Sequence, residues 1–327
     1  MGKRDVIAIG GSLGSVTAVK QLLAELPTEF SPSIFIVIHV GAHGNNLLAD
    51  AFAEQAAMPV TTAIDGEKVQ QRHAYVAPAD RHLLVIDNVI RLGRGPRENL
   101  ARPAIDPLFR SVGAGYGPRA VGVVLSGMLN DGASGLADLK RCGGKTVVQS
   151  PRDAEAPDMP LGALAATDVE FRSSLADLPF LLETLCDEDV ETDWHVPPDI
   201  PLEIDIALGR ASDTATIAKI ADAAPLSCPS CGGVLSQVRV SPPLRFRCQV
   251  GHAFTAEVLS SRGDDTITAA VRVALRVIEE RVTLSEKMAE DARNAGRRAA
   301  AEVNERRAEE GRRYAQVLRR GLLASPD

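Results

Sequence analysis

No run of 18 apolar residues, the length needed to cross a bilayer as a helix, occurs in the 327-residue sequence. The first five residues lead directly into an apolar strand, so a secretory signal peptide is not expected. The five cysteines form an odd number, which disfavours a secreted disulfide framework. A net charge of −7 disfavours a nucleic-acid partner. The sequence therefore predicts a cytoplasmic protein without direct membrane insertion.

A glycine-rich turn follows the first apolar strand and contains a serine in the pattern Gly10-x-Ser12-x-Gly14. Such a turn between a strand and a helix exposes the serine hydroxyl as a nucleophile, and the helix N–H groups beyond it can stabilise an oxyanion. A dinucleotide-binding loop is the alternative. Its G-x-G-x-x-G pattern would need glycines where Ser12 and Ser15 stand, and an acidic residue where the next strand ends in His39. A nucleotide-binding oxidoreductase is therefore disfavoured.

Two further apolar strands end in residues that complement a nucleophilic serine. Residues 34–38 precede His39, and residues 120–125 run into a loop that contains Asp131. These runs predict a doubly wound, mostly parallel α/β sheet, in which the carboxyl ends of the strands meet at one edge. Ser12, His39 and Asp131 can therefore converge as nucleophile, base and orienter. His43, four residues after His39, is a less favoured base because we expect it in a loop.

These residues resemble the catalytic domain of the bacterial chemotaxis protein-glutamate methylesterases (CheB-type), over roughly the first 175 residues. The matching stretches are residues 9–14, 37–40, 65–67, 73–78, 80–82, 102–103, 125–135 and Gln149. The resemblance implies a cytoplasmic serine esterase that hydrolyses glutamate methyl esters on a methylated receptor or sensory protein. Glutamine deamidation through the same intermediate is a possible second activity.

By resemblance, Ser12 is the nucleophile, His39 the general base and Asp131 its orienter, with no cofactor needed for catalysis. Met128 stands where the family lines the oxyanion pocket, and backbone N–H groups near Leu13 and Met128 would hold the oxyanion. The sequence departs from the family pattern at two positions, since the family commonly has threonine at Leu13 and glycine at Leu129. Bulky side chains there would narrow the cleft. A signalling platform that is non-catalytic, or altered in specificity, is therefore the alternative.

The composition changes after the catalytic region. Residues 1–182 form the predicted catalytic domain, and residues 183–222 are rich in acidic residues around Pro197 and Pro198, as in a linker. Trp194, the single tryptophan, is expected to pin this segment onto a domain surface.

A metal site is predicted within a small module at residues 223–262. Cys228 and Cys231 form one ligand pair, and Cys248 and His252 form a second, each on a tight turn. Three thiolates and an imidazole are typical of a structural, tetrahedral zinc ion. Because four protein ligands close the coordination sphere, we expect no catalysis by the zinc.

The module resembles a zinc ribbon, with short strands expected at residues 234–240 and 244–247. A unit this small depends on its metal for stability. From these patterns we expect residues 1–185 alone to retain esterase activity.

The last region, residues 263–327, is predicted to form a helical hairpin that breaks at Gly296. Its first helix is expected to start near Asp265, with residues 264–266 as cap. The expected apolar stripes are Ile267, Val271, Leu275, Ile278 and Val282 on the first helix, and Val303, Tyr314, Val317, Leu318 and Leu322 on the second. Self-association through these helices is a possible function of the hairpin.

Overall fold

The computed structural model describes residues 2–39, 47–210, 212–240 and 242–324, with the side chains of residues 262–266 and 322–324 left out. His43 of the predicted site lies outside the described residues. The chain divides into two compact units, residues 1–259 and 260–327, and each is described by itself.

The strands, numbered along the chain, are β1 (Gly2–Lys3), β2 (Val6–Gly11), β3 (Ser33–Ile38), β4 (Val60–Thr62), β5 (Ala74–Val76), β6 (His82–Ile86), β7 (Val89–Gly93), β8 (Ala120–Val124), β9 (Lys145–Gln149), β10 (Phe171–Ser173), β11 (Asp189–Val190), β12 (Ala221–Ser227), β13 (Val234–Val238), β14 (Arg245–Cys248) and β15 (Ala253–Thr255). The helices are α1 (Ser15–Glu25), α2 (Leu48–Ala53), α3 (Ile105–Tyr116), α4 (Ala133–Arg141), α5 (Asp158–Ala166), α6 (Leu178–Asp187), α7 (Asp199–Leu208), α8 (Thr214–Ile220), α9 (Ala256–Asn294) and α10 (Arg298–Ala324).

A seven-stranded parallel sheet forms the centre of the first unit, in the order β10-β9-β8-β2-β3-β5-β4. Every residue of β2, β3 and β8 is buried, as expected for apolar strands covered on both faces. Helices α1, α2 and α6 pack on one face, and α3, α4 and α5 pack on the other. The predicted doubly wound α/β fold is thus confirmed.

The segment predicted as an acidic linker contains two complete helices, α7 and α8. Ile200 and Ala207 of α7 pack with Leu84 and Cys142, and Glu203 is buried as well. The acidic residues were misleading because they lie between apolar residues that give α7 a buried face. Trp194 anchors the segment as predicted, since its indole N–H donates to the Ala114 carbonyl oxygen at 3.2 Å.

The C-terminal part of the first unit holds a four-stranded antiparallel sheet, β12-β13-β14-β15. Two of these strands were predicted, and the structure adds β12 and β15. Leu235, Phe246 and Phe254 form a small core with Cys228 and Cys248. We call residues 221–259 the ribbon module.

The second unit is formed by the rest of α9 and by α10. The predicted start near Asp265 is wrong, since α9 begins at Ala256. The break is confirmed, because α9 ends at Asn294 and Gly296 has a φ of 72°. The second predicted stripe is also wrong, since its first members, Val303, Tyr314 and Val317, are exposed.

The buried seam of the hairpin is built mainly from alanine instead. Its buried residues are Ala289, Ala292, Ala301, Asn304, Ala308 and Ala315. Within each helix these residues are three, four or seven positions apart, and their mostly small side chains let the two helices approach closely. No helix among the described residues is both long enough and apolar enough to cross a membrane.

Candidate active site

Ser12 follows β2 and lies in the turn that begins α1. The turn needs Gly14, because its φ of 81° is unfavourable for other residues and a Cβ there would lie 2.7 Å from Glu155 Cβ and 2.9 Å from Ser126 Oγ. The Ser12 backbone N–H donates to the Ser126 carbonyl oxygen at 2.9 Å, and the Ser15 hydroxyl donates to the same oxygen. The turn is therefore held against the loop that follows β8.

That loop approaches the nucleophile candidate closely at Gly127. A Cβ atom at this position would lie 2.9 Å from Ser12 Cβ and 1.9 Å from the sulfur of Met159. The Gly127 N–H donates to the Ala156 carbonyl oxygen at 2.9 Å. Within the described part of the chain, the backbone N–H groups of Leu13 and Met128 have no protein acceptor. Two donors beside Ser12 are thus left for a substrate oxygen.

His39 follows β3, the neighbour of β2, and its backbone N–H donates to the Gly11 carbonyl oxygen at 3.1 Å. Its Nε2 lies 2.7 Å from Oδ2 of Asp131, whose side chain is 2% exposed. An ionised carboxylate can only accept hydrogen bonds, so Nε2 donates to Asp131, and in the neutral tautomer of His39 it is Nδ1 that has the lone pair. The pair therefore has the polarity needed for a general base.

Asp131 has two further hydrogen bonds that fix its carboxylate. Oδ2 accepts the Ile105 backbone N–H at 2.7 Å, and Oδ1 accepts the Asn99 side-chain amide at 2.9 Å. Burial alone would raise the pKa of Asp131, but the hydrogen bonds and charge of His39, together with the other two donors, lower it. Burial and the neighbouring Asp131 raise the pKa of Asp106, the second carboxylate that Asn99 contacts, to about 7.

Three large apolar side chains lie exposed beside these groups. Leu13 is 51% exposed, Met128 57% and Leu129 38%. Leu129 has a φ of 62°, in the left-handed region that favours glycine. This conformation gives a physical reason why glycine would suit that position.

The four predicted metal ligands are brought together in the ribbon module. Their ligand atoms all lie within 4.8 Å of one another. Cys231 Sγ and Cys248 Sγ are 3.7 Å apart, and His252 Nδ1 lies 3.5 Å from Cys248 Sγ and 3.8 Å from Cys228 Sγ. Around a tetrahedral zinc ion, bond lengths place two sulfurs about 3.8 Å apart and a sulfur and a nitrogen about 3.5 Å apart. The donor set and its spacing fit such an ion.

A buried group of ion pairs joins the ribbon module to the rest of the first unit. Arg247 Nη2 lies 2.9 Å from Glu98 Oε1 and also pairs with Glu203. The Oε1 atom of Glu203 lies 2.7 Å from Arg245 Nη2 in a further ion pair. Glu98 pairs in addition with Arg110 at 2.9 Å. We call these five residues the buried charge cluster.

The charges in this cluster compensate one another. Burial would raise the pKa of Glu98, but Arg110 and Arg247 hold it well below its usual range. Burial would raise the pKa of Glu203 too, but Arg245 and Arg247 lower it to about 2. Both carboxylates are therefore ionised and need their guanidinium partners.

Sequence reasoning missed Asn99, the buried charge cluster and Thr255, whose backbone N–H donates to Asn99 Oδ1 at 3.0 Å. Asn99 contacts Asp131 across 32 positions, and Glu98 contacts Arg247 across 149. No local pattern marks such partners. The one sequence signal was the position of Asn99 shortly before the matching stretch at residues 102–103.

The model of the CheB methylesterase family matches residues 7–182. A Leptospira interrogans protein named as a protein-glutamate methylesterase/protein-glutamine glutaminase is 36% identical over 188 residues, covering 57% of this chain and 97% of that protein. A Yersinia pestis protein of the same designation is 38% identical over 169 residues, covering 50% of this chain and 48% of that protein. The chain thus spans about half the length of the Yersinia relative.

Among solved structures, the chain is similar to the crystal structure of the Thermotoga maritima CheB methylesterase catalytic domain. The TM-score is 0.53 at 25% identity, and the match covers 57% of this chain and 99% of that domain. The sheet with its helices on both faces is the matched fold. Since the family model covers more than half of the chain and the Leptospira relative is matched over nearly its full length, the chain belongs to the CheB methylesterase family.

Proposed function

We propose that this chain hydrolyses glutamate methyl esters on a methylated receptor or sensory protein, with Ser12, His39 and Asp131 as its catalytic residues. The observation that carries the proposal is the His39–Asp131 pair, 2.7 Å apart, beside Ser12 at the carboxyl edge of the sheet. The names of the Leptospira and Yersinia relatives support the same reaction.

In this reaction, Ser12 Oγ attacks the γ-carbonyl carbon of the ester while His39 Nδ1 accepts its proton. The N–H groups of Leu13 and Met128 stabilise the oxyanion that forms. The carbon–oxygen bond to the methoxy group then breaks, and methanol leaves with the proton from His39. Water, activated by His39, releases the acyl group from Ser12. Asp131 holds the imidazole tautomer and balances its charge when it is protonated.

A glutamine side chain would react through the same intermediate with ammonia as the leaving group, so deamidation is proposed as a second activity. The exposed Leu13, Met128 and Leu129 favour a protein substrate, since together they offer an apolar contact surface next to Ser12. A location in the cytoplasm stays a prediction of the sequence.

The test measures methanol released from a methylated receptor fragment, together with labelling by a fluorophosphonate probe. Ser12→Ala should lose labelling and reduce turnover by roughly 10⁴- to 10⁶-fold. The matched control is Ser31→Ala. Ser31 is an exposed serine just before β3, at the amino ends of the parallel strands and so away from the candidate site. Wild-type protein that is neither labelled nor active would favour the alternative, a non-catalytic platform.

We further propose that the metal of the ribbon module is a structural zinc ion held by Cys228, Cys231, Cys248 and His252. Bound there, zinc would cross-link two turns of the module and supply no open coordination position. Elemental analysis should find one zinc per chain, lost in Cys231→Ser and retained in Cys186→Ser, a buried cysteine outside the cluster. A zinc-free, fully folded wild type would contradict this assignment.

A further inference from the structure

The side-chain amide of Asn99 lies between two buried carboxylates and the last strand of the ribbon module. Its Nδ2 donates to Asp131 Oδ1 at 2.9 Å and to Asp106 Oδ2 at 3.0 Å, and its Oδ1 accepts the Thr255 backbone N–H at 3.0 Å. The ionised carboxylate of Asp131 needs a donor and the Thr255 N–H needs an acceptor, so the orientation of the amide is fixed. Asn99 thus links β15 to the carboxylate of Asp131 by hydrogen bonds.

A second contact runs beside the first. The Thr255 hydroxyl donates to Asn130 Oδ1 at 2.7 Å, and Asn130 Nδ2 donates to Glu257 at 2.8 Å. Asn130 directly precedes Asp131 in the loop after β8. The ribbon module therefore holds both the carboxylate of Asp131 and the backbone that carries it.

The same strand is tied to the metal ligands. β15 begins one residue after His252, and the Ala253 carbonyl oxygen accepts the Asn99 backbone N–H at 2.8 Å. Arg247 donates to the Gly251 carbonyl oxygen, between Cys248 and His252, at 2.6 Å, and pairs with Glu98 next to Asn99. The turn that carries Cys248 and His252 is thus connected to Asn99 in two ways, through the Ala253 carbonyl oxygen and through Arg247 and Glu98.

We propose that Asn99 is a positioning residue for Asp131, and that metal binding by the ribbon module keeps it in place. This inference rests on the proposed function, because it assigns the module a part in the same reaction. Without the metal, the turn at residues 248–252 loses its cross-link, β15 moves, and the Asn99 amide no longer fixes Asp131. Turnover then falls, while substrate binding changes little because none of these groups contacts the substrate. Residues 1–185 would, on this reasoning, be a poor esterase alone.

One arm of the test compares Asn99→Ala with Asn88→Ala. Both asparagines have positive φ angles, 48° at Asn99 and 60° at Asn88, and both side chains form hydrogen bonds. The Asn88 side chain, however, accepts from the Tyr116 hydroxyl and has no hydrogen bond to Asp131. We expect kcat on a small ester to fall roughly 10- to 100-fold in Asn99→Ala with KM within about twofold, and both constants to be unchanged in Asn88→Ala. Equal behaviour of the two variants would overturn the proposal.

The second arm removes the metal from the full-length wild type with a chelator and restores it with zinc. The readout is the NMR signal of the His39 Nε2 proton, which is bonded to Asp131, together with kcat. We expect the signal to shift or broaden and kcat to fall, with both recovered on zinc addition. If both stay unchanged, or if Trp194 fluorescence shows that the whole first unit has unfolded, the positioning role is refuted.

The two proposals fail in different ways. If the wild type shows no esterase activity, the proposed function fails, whereas the His39 proton signal still reports whether the metal positions the pair. If the wild type is active and chelation leaves the signal and kcat unchanged, the reaction stands and the positioning role is wrong.

Discussion

Replacing Arg247 by methionine should loosen the attachment of the ribbon module. The guanidinium of Arg247 is fully buried, lies between Glu98 and Glu203, and donates to the Gly251 carbonyl oxygen at 2.6 Å. Methionine fills part of the space but supplies no donor and no charge. Glu98 would keep Arg110, yet its Oε1 would lose the Arg247 donor.

The magnitude follows from the buried pairs that are broken. Removing one partner of a buried ion pair costs about 3–5 kcal/mol, because the remaining charge is left without compensation. At about 1.4 kcal/mol per factor of ten, the open state of the module becomes roughly two to nearly four orders of magnitude more populated. Since the broken ion pairs join the ribbon module to the rest of the first unit, the module should open before the parallel sheet unfolds.

Amide hydrogen exchange read by mass spectrometry measures this directly. In Arg247→Met, peptides from residues 245–255 should exchange faster by roughly two to nearly four orders of magnitude. The exchange rates of peptides from β2 and β3 should not change. The matched control is Arg239→Met, an arginine of the same module whose partner Asp222 is exposed, and it should exchange like the wild type. Exchange of residues 245–255 within about twofold of the wild type would refute the reasoning.

Two further predictions concern stability. Leu129→Gly should raise the free energy of unfolding by about 0.5–1 kcal/mol, because the φ of 62° costs leucine more than glycine; a melting temperature equal to or below that of the wild type would contradict this. Acid should weaken the module, because folding lowers the pKa of Glu203 from about 4.5 to about 2. The stabilisation that the ionised Glu203 provides is therefore complete above about pH 4.5 and is lost as the pH falls toward 2. Urea midpoints measured from pH 7 to pH 3 test this, and an acid-independent midpoint would count against it.

The parallel sheet and the positions of Ser12, His39 and Asp131 could be predicted because parallel strands place their carboxyl ends at one edge. An apolar run followed by a polar residue is then enough to locate a group in the fold. The clustering of the four proposed metal ligands was predictable for a similar reason, since each pair lies on one short turn. In both cases local sequence determines the geometry.

The buried helix α7 and the alanine seam of the hairpin were not predictable by the same rules. In α7 the acidic residues give the segment a polar composition, although Ile200 and Ala207 pack into the first unit. In α10 the largest apolar residues, such as Tyr314 and Val317, are exposed, and the small ones are buried. Alanine carries a weak hydrophobic signal, so a periodicity search favours the wrong face.

The joint between the module and Asp131 is polar, and this has a consequence for what the module can do. An apolar contact is non-directional, so it would stabilise the module without fixing the direction of any catalytic group. Asn99, in contrast, uses both N–H groups and its oxygen on three different partners, each at 2.9–3.0 Å. A shift of β15 by even one ångström would break at least one of these bonds, and misplacement of that size at a catalytic group can cost a factor of about 10² in rate. In the proposed function, a polar joint of this kind couples metal binding to catalysis through geometry alone, although the proposed zinc site has no open position for chemistry.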